Sequence, residues 1–109
     1  MRNSVTLVGR PGAEPEMRAL NNGKKATFRL AVNEGRKNAN GEWVETTQWF
    51  PVVAWGALAE RVEKDVRKGM RIAISGSLHN NEWTDDKGQR HLVTEIWVSE
   101  LLPVEKPKA

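Results

Sequence analysis

Five tryptophans in 109 residues, with no tyrosine and no cysteine, are the side chains here best equipped for recognition chemistry. An indole is a broad π-face that stacks on planar heterocycles, nucleobases included, at ~1–3 kcal/mol per stack. Trp49 and Trp55 stand six residues apart. In an extended chain an even spacing returns both rings to one side, roughly 20 Å apart. Trp43 follows a basic loop, and Trp83 precedes a turn-forming Asp85-Asp86-Lys87-Gly88 run. Trp97, between the apolar Ile96 and Val98, reads instead as a packed side chain. Cations supply the other half of a polyanion site: Arg29, Arg36, Lys37, Lys68, Arg71 and Arg90. Each phosphate that such a group neutralises releases counterions, so binding of this kind weakens as salt rises. The candidate binding set is therefore Trp43, Trp49, Trp55 and Trp83 with those six cations.

Catalysis finds little support. The absence of cysteine removes thiol nucleophiles, disulfides and Cys-ligated metals together. His79 and His91 have no evident third ligand, and Asp85-Asp86 reads as a solvated turn. No phosphate-binding Gly-rich loop, nucleophile elbow or His-Glu-x-x-His helix is present. The expectation is a protein that is not an enzyme and holds no cofactor and no metal.

The elements that must position these residues follow from the period of the apolar pattern. Residues 4–9 form a β-branched strand, and residues 10–15, with two prolines and a glycine, form a loop. Asn21-Asn22-Gly23 is a turn. Residues 25–33 alternate, with Ala26, Phe28, Leu30 and Val32 on one face and Thr27, Arg29, Ala31 and Asn33 on the other. Residues 35–41 form a basic loop, and residues 42–55 the next extended stretch. Pro51 inside that stretch predicts an edge position or a bulge. In residues 56–68 the period changes: Leu58, Val62 and Val66 recur every four positions, Glu60/Lys64 and Glu63/Arg67 pair along a helix, and Gly69 ends it. Period two returns over residues 70–78 and 92–98, joined by a hairpin loop at 83–90, and residues from Leu101 onward read as a frayed tail. An all-β chain with one short helix between the third and fourth of five strands has the order of an OB-fold, a five-stranded Greek-key barrel. It occupies residues 1–102, followed by a flexible tail at 103–109.

These residues resemble the bacterial single-stranded-DNA-binding proteins. The matching stretches are Asn3-Ser4-Val5-Thr6-Leu7-Val8-Gly9, Pro15-Glu16-Met17-Arg18, Phe28-Arg29-Leu30-Ala31, Thr47 through Gly56, Leu58-Ala59-Glu60, Arg67-Lys68-Gly69, Ile74 through Leu78, and Trp83-Thr84-Asp85 through Gly88. The resemblance implies sequence-independent binding and protection of single-stranded DNA in replication, recombination and repair, by a homotetramer or a dimer. It implies that Trp49, Trp55 and Trp83 stack on bases and that Lys68 is a basic contact. This chain departs from the family pattern in three places: Glu34-Gly35-Arg36-Lys37 lacks a tryptophan that Trp43 replaces from elsewhere, Phe50-Pro51 follows Trp49, and His79-Asn80-Asn81-Glu82 precedes Trp83. These changes subtract phosphate contacts and predict weaker binding with a shallower salt slope than a housekeeping member. Many members continue into a segment with an acidic, hydrophobic tip that recruits repair proteins. This sequence ends Val104-Glu105-Lys106-Pro107-Lys108-Ala109, which implies a shortened chain or a minor paralogue without that recruitment.

Composition agrees with a single folded domain: 39% hydrophobic and 28% charged residues suit neither a disordered tail nor a membrane span. Met1-Arg2-Asn3-Ser4 leads directly into a strand, so no signal peptide and a cytoplasmic location are expected, with no membrane partner. A net charge of +3 favours a polyanionic partner. The alternative is a primosome-type OB subunit that docks on replication proteins and binds DNA secondarily. A barrel-based nuclease lacks its carboxylate cluster, and the positive charge argues against an oligosaccharide-binding barrel.

Overall fold

The computed structural model describes residues 3–104. Its elements run β1 (Val5–Pro11), β2 (Glu16–Leu20), β3 (Gly23–Lys37), β4 (Trp43–Trp55), α1 (Ala57–Asp65), β5 (Ile72–Thr84) and β6 (Arg90–Pro103). The sheet order is β1-β5-β6-β4-β3-β2, and β1 also pairs with β3 at Arg10–Ala31 and Pro11–Leu30. That last pairing closes β1, β5, β6, β4 and β3 into a five-stranded barrel, the OB-fold read from the sequence.

The sixth strand is not a new barrel stave. β2 pairs with β3 on the same edge that β1 uses, further toward the β3 start. β1 and β2 are thus one long strand interrupted at residues 12–15, where the sequence reading placed a loop beginning already at Arg10. Glu16–Leu20 carries Met17 before Arg18 and the adjacent Ala19 and Leu20 after it, too little alternation to declare a strand by itself. Its pairing with β3 across the Asn21-Asn22 turn makes it one.

The strand interiors supply the core: Ala26, Phe28 and Leu30 from β3, Val52 and Ala54 from β4, Ile72 and Ile74 from β5, and Ile96 and Val98 from β6. α1 lies between β4 and β5 in the chain and adds Ala59 and Val62, with Val66 just beyond it. The helix ends at Asp65, three residues before the expected stop, because Val66 turns to extended backbone and buries its side chain. Glu63 does not pair with Arg67 as its spacing predicts. It takes Lys24 Nζ at 2.8 Å, which ties β3 to the helix, while Arg67 Nη1 donates to the Glu63 carbonyl.

At Pro51 one of the two expected outcomes is met, and in β6 an irregularity corrects the sequence reading. Register passes through Pro51, opposite Arg29, without a bulge. The expected edge is present instead, because β6 pairs with β4 only at Val52 and Val53. Between Ser75 and Gly76 of β5 the pairing with β6 shifts, leaving Ser99 as an extra residue on the β6 side. Side-chain parity reverses there. Leu101 therefore enters the core and Leu102 faces out, and the strand continues to Pro103 rather than fraying from Leu101. Of the tail placed at 103–109, residues 105–109 lie outside the described residues.

Candidate nucleic-acid interface

Trp43, Trp49 and Trp55 all occupy odd positions of β4, opposite in parity to the buried Val52 and Ala54. Register carries that outward face across the sheet. Val53 stands beside Trp97 on β6, Trp97 beside Ser77 on β5, and His91 on β6 beside Trp83 on β5. All five tryptophans thus share one side of three adjacent strands. Trp43, Trp49, Trp83 and Trp97 are exposed to 64%, 48%, 44% and 36%. Trp55 is half-buried.

Each ring has a specific support. Trp49 lies over Gly12 in the β1–β2 interruption, where an added Cβ would come within 2.5 Å of the indole Cζ3. A side chain there would force the ring to shift. Arg29, outward on β3, sits 6.0 Å from the Trp49 ring, a cation–π arrangement. A groove of about 550 Å³ opens beside them, floored by Val52 and Val53 and rimmed by Glu14, Glu16 and Glu95. Trp43 lies over Gly35 in the same way: a Cβ there would meet the indole Cζ2 at 2.0 Å. Trp55 meets Trp97 edge-on, with centroids 4.4 Å apart at 73°, and Lys25 Nζ stands 5.8 Å from the Trp55 ring. Trp97 Nε1 donates to Glu95 Oε1 at 3.0 Å, and His79 stacks on Trp97 at 3.7 Å and 11°.

Trp83 stacks on His91 at 5.2 Å and 15°. His91 Nε2 donates to Asp85 Oδ2 at 2.8 Å, while Asp85 Oδ1 accepts from the Lys87 and Gln89 amides. One carboxylate therefore holds both the hairpin turn and the ring behind Trp83. The His91 hydrogen bond, followed by the Gln89 amide, holds the Asp85 carboxyl below the ordinary aspartate range. A depressed carboxylate contributes to stability above its unfolded pKa and loses that contribution as pH falls through the folded value. Amide exchange at Lys87 and Gln89 is therefore expected to accelerate as pH drops below the ordinary aspartate range, once the intrinsic pH dependence of exchange is subtracted. Protection that stays constant through acid titration of Asp85 would show that the carboxylate does not hold the turn.

The structure gathers only part of the cation set. Arg29 is in the strip. Lys37 pairs with Trp43, and Arg36 pairs with Val44 on the opposite parity, both at the far end of β3 rather than in a loop. The Lys68 backbone amide donates to Glu14 Oε1 at 3.1 Å, which places the residue near the Trp49 groove. Arg71 precedes β5, with its carbonyl bonded to the Val104 amide, at the opposite end of that strand from Trp83. Arg90 neighbours Trp83 at the hairpin but has the opposite parity and is ion-paired with Glu82.

Two members of the strip escaped the sequence reading. Trp97, read as packed because Ile96 and Val98 are apolar, is outward for that very reason: period two puts the residue between two core positions on the other face. Lys25 belongs to the outward set of Thr27 and Arg29, and its pairing with Trp55 is visible only in the register. Among the described residues, no group of three or more His, Cys, Asp or Glu side chains could hold a metal, and no helix is long and apolar enough to cross a membrane.

The structure thus defines the class: an OB barrel that displays indoles and cations on one outer face. The comparisons with known proteins narrow the class. The single-strand binding protein family matches residues 2–104, and the chain belongs to that family. It is 37% identical over 101 residues to Single-stranded DNA-binding protein 1 of Chlorobaculum tepidum, a match that covers 91% of this chain and 62% of the relative. It therefore spans under two thirds of that relative's length. Among solved structures it is similar to the Plasmodium falciparum SSB complex with ssDNA, with a TM-score of 0.88, 35% identity, and 96% and 97% of the two chains covered. It is also similar to the small single-stranded DNA-binding protein of Streptomyces coelicolor, with a TM-score of 0.75, 25% identity, and 94% and 95% covered.

Proposed function

We propose that this chain binds single-stranded DNA without reading its sequence, and so protects strands exposed during replication, recombination and repair in the cytoplasm. The observation that carries the reading is the run of five indoles on one side of β4, β6 and β5, with Arg29 and Lys25 beside two of them. Every base presents a π-face, so stacking of this kind is indifferent to sequence. Arg29 and Lys37 meet the backbone beside Trp49 and Trp43, and Lys68 does so at the groove. The role is binding rather than catalysis. Assembly as a homotetramer places several such strips on one strand, which raises the effective concentration of each next contact. Similarity to a structure solved as a complex with ssDNA supports the reading.

The test is a titration of intrinsic tryptophan fluorescence with oligo-thymidine at several salt concentrations. Strong quenching is expected at low salt. The logarithm of the binding constant should fall linearly with the logarithm of salt, by about 0.7 for each phosphate neutralised. An unquenched signal at low salt would overturn the reading. Light scattering on the same samples reads the number of subunits.

A further inference from the structure

The outward positions of β5 and β6 carry rings but no permanent cation. Toward the hairpin they are Ser77, His79, Asn81 and Trp83 on β5, and His91, Val93, Glu95 and Trp97 on β6. A strand passing from Trp55 and Trp97 toward Trp83 crosses this patch, roughly 13 Å of β5 between His79 and Trp83. The one permanent charge it meets on the way is Glu95, directly across from His79. A lone carboxylate there repels phosphate. Only a proton can cancel that charge, and histidine is the side chain that gains one between pH 5 and 8.

We infer that His79 is a proton-switched phosphate contact, so that uptake of single-stranded DNA on the β5–β6 half of the face is coupled to protonation of its ring. The inference rests on the DNA-binding reading above. The contacts of His79 are compatible with the charged ring. Stacked on Trp97 at 3.7 Å, it becomes a cation on an indole face once protonated. Its hydrogen bond among the described residues joins Nε2 to Ser77 Oγ at 2.8 Å, and a hydroxyl can either donate or accept, so a second proton need not break it. Nδ1 is then a free N–H donor for a phosphodiester oxygen.

The other charged groups around the ring do not substitute for it. Glu95 keeps one oxygen on Trp97 Nε1, and protonated His79 cancels its charge. Lys25, from β3, stands at Trp55. Glu82 and Arg90 neutralise each other on the opposite parity, and Asp85 is engaged by His91. His91 is the patch's other imidazole, but its bond to Asp85 offsets any charge it gains. Asn3, which reaches β5 beside β1, is uncharged and bonds the Leu78 backbone.

The test measures anisotropy of a dye-labelled oligo-thymidine with the full chain at pH 8, 7 and 6 and fixed ionic strength, for wild type, His79→Gln and His79→Arg. The quantity read is the difference between the three pH profiles. Wild type is expected to gain about three- to tenfold in affinity over His79→Gln between pH 8 and 6, the range of one exposed charge-assisted contact. His79→Arg should bind tightly at all three pH values and steepen the salt slope over His79→Gln by about 0.7. A merely structural histidine would not be replaced by arginine with that result. Parallel pH profiles for wild type and both variants, with binding intact, overturn the proton coupling alone. Absence of binding at every pH overturns the DNA reading itself. Should His79→Gln fail to fold, the wild-type and His79→Arg profiles decide: a common slope rejects the inference, and a slope confined to wild type upholds it.

Discussion

Trp55→Ala is expected to weaken binding of oligo-thymidine by about 1–3 kcal/mol, roughly five- to 150-fold, the range of one lost base stack. The geometry makes this ring the most consequential of the five. Trp55 is where β3, β4 and β6 contribute to one spot: Lys25 from β3 stands over it and Trp97 from β6 meets it edge-on. Removing the ring removes a stacking face, a cation–π partner and the buttress of Trp97 together. It is only half-buried, and its contacts are with surface groups rather than with the closed core of Val52, Ala54 and Ile96. Thermal midpoint and far-UV circular dichroism should therefore stay close to wild type. Unchanged affinity would assign Trp55 a packing role. A collapse of the midpoint parallel to the affinity loss would mean that the ring serves the barrel.

How much of this site was legible in the sequence depended on whether a residue's position was set by alternation within one strand or by pairing between strands. That Trp49 and Trp55 share one face follows from their even spacing alone, and the barrel order follows from where the period changes near Gly56. Trp97 was equally legible, since Ile96 and Val98 fix its face by alternation; the apolar neighbourhood outweighed the parity. Lys25 beside Trp55, Glu82 on Arg90 and the distance of Arg71 from Trp83 are properties of register, which no local pattern specifies. Arg36 and Lys37 were displaced from loop to strand because β3 and β4 stay paired beyond the barrel, down to Lys37 and Trp43. The polar composition of that arm hides its backbone ladder, to which Thr47 Oγ1 adds a hydrogen bond to Asn33 Oδ1. The reach of β6 to Pro103 depended on the parity reversal at Ser99, a bulge that the residue types around it do not announce.

Leu30→Ala is expected to lower unfolding free energy by about 2–5 kcal/mol, the cost of removing a large buried side chain and leaving a cavity. Leu30 is fully buried at the seam of the barrel, opposite Phe50 on β4 and Pro11 on β1, where the β1–β3 pairing completes the ring of strands. The seam has little freedom to close around a void, because the β1 and β3 backbones already approach closely there: a Cβ on Gly9 would come within 2.3 Å of the Ala31 carbonyl oxygen. Against a total of about 5–15 kcal/mol for a domain, that loss is a large share. The DNA affinity of the folded fraction should nevertheless match wild type. The strip is made of side chains of the other parity, Arg29 and Trp49 among them, whose register is held by the β3–β4 ladder and not by what fills the barrel. Chemical denaturation followed by circular dichroism reads the first effect, and titration at a temperature where the variant is folded reads the second. Lost affinity in a fully folded Leu30→Ala protein would show that the core tunes the indoles, and that the barrel is part of the binding surface's conformational equilibrium and not a rigid support beneath it.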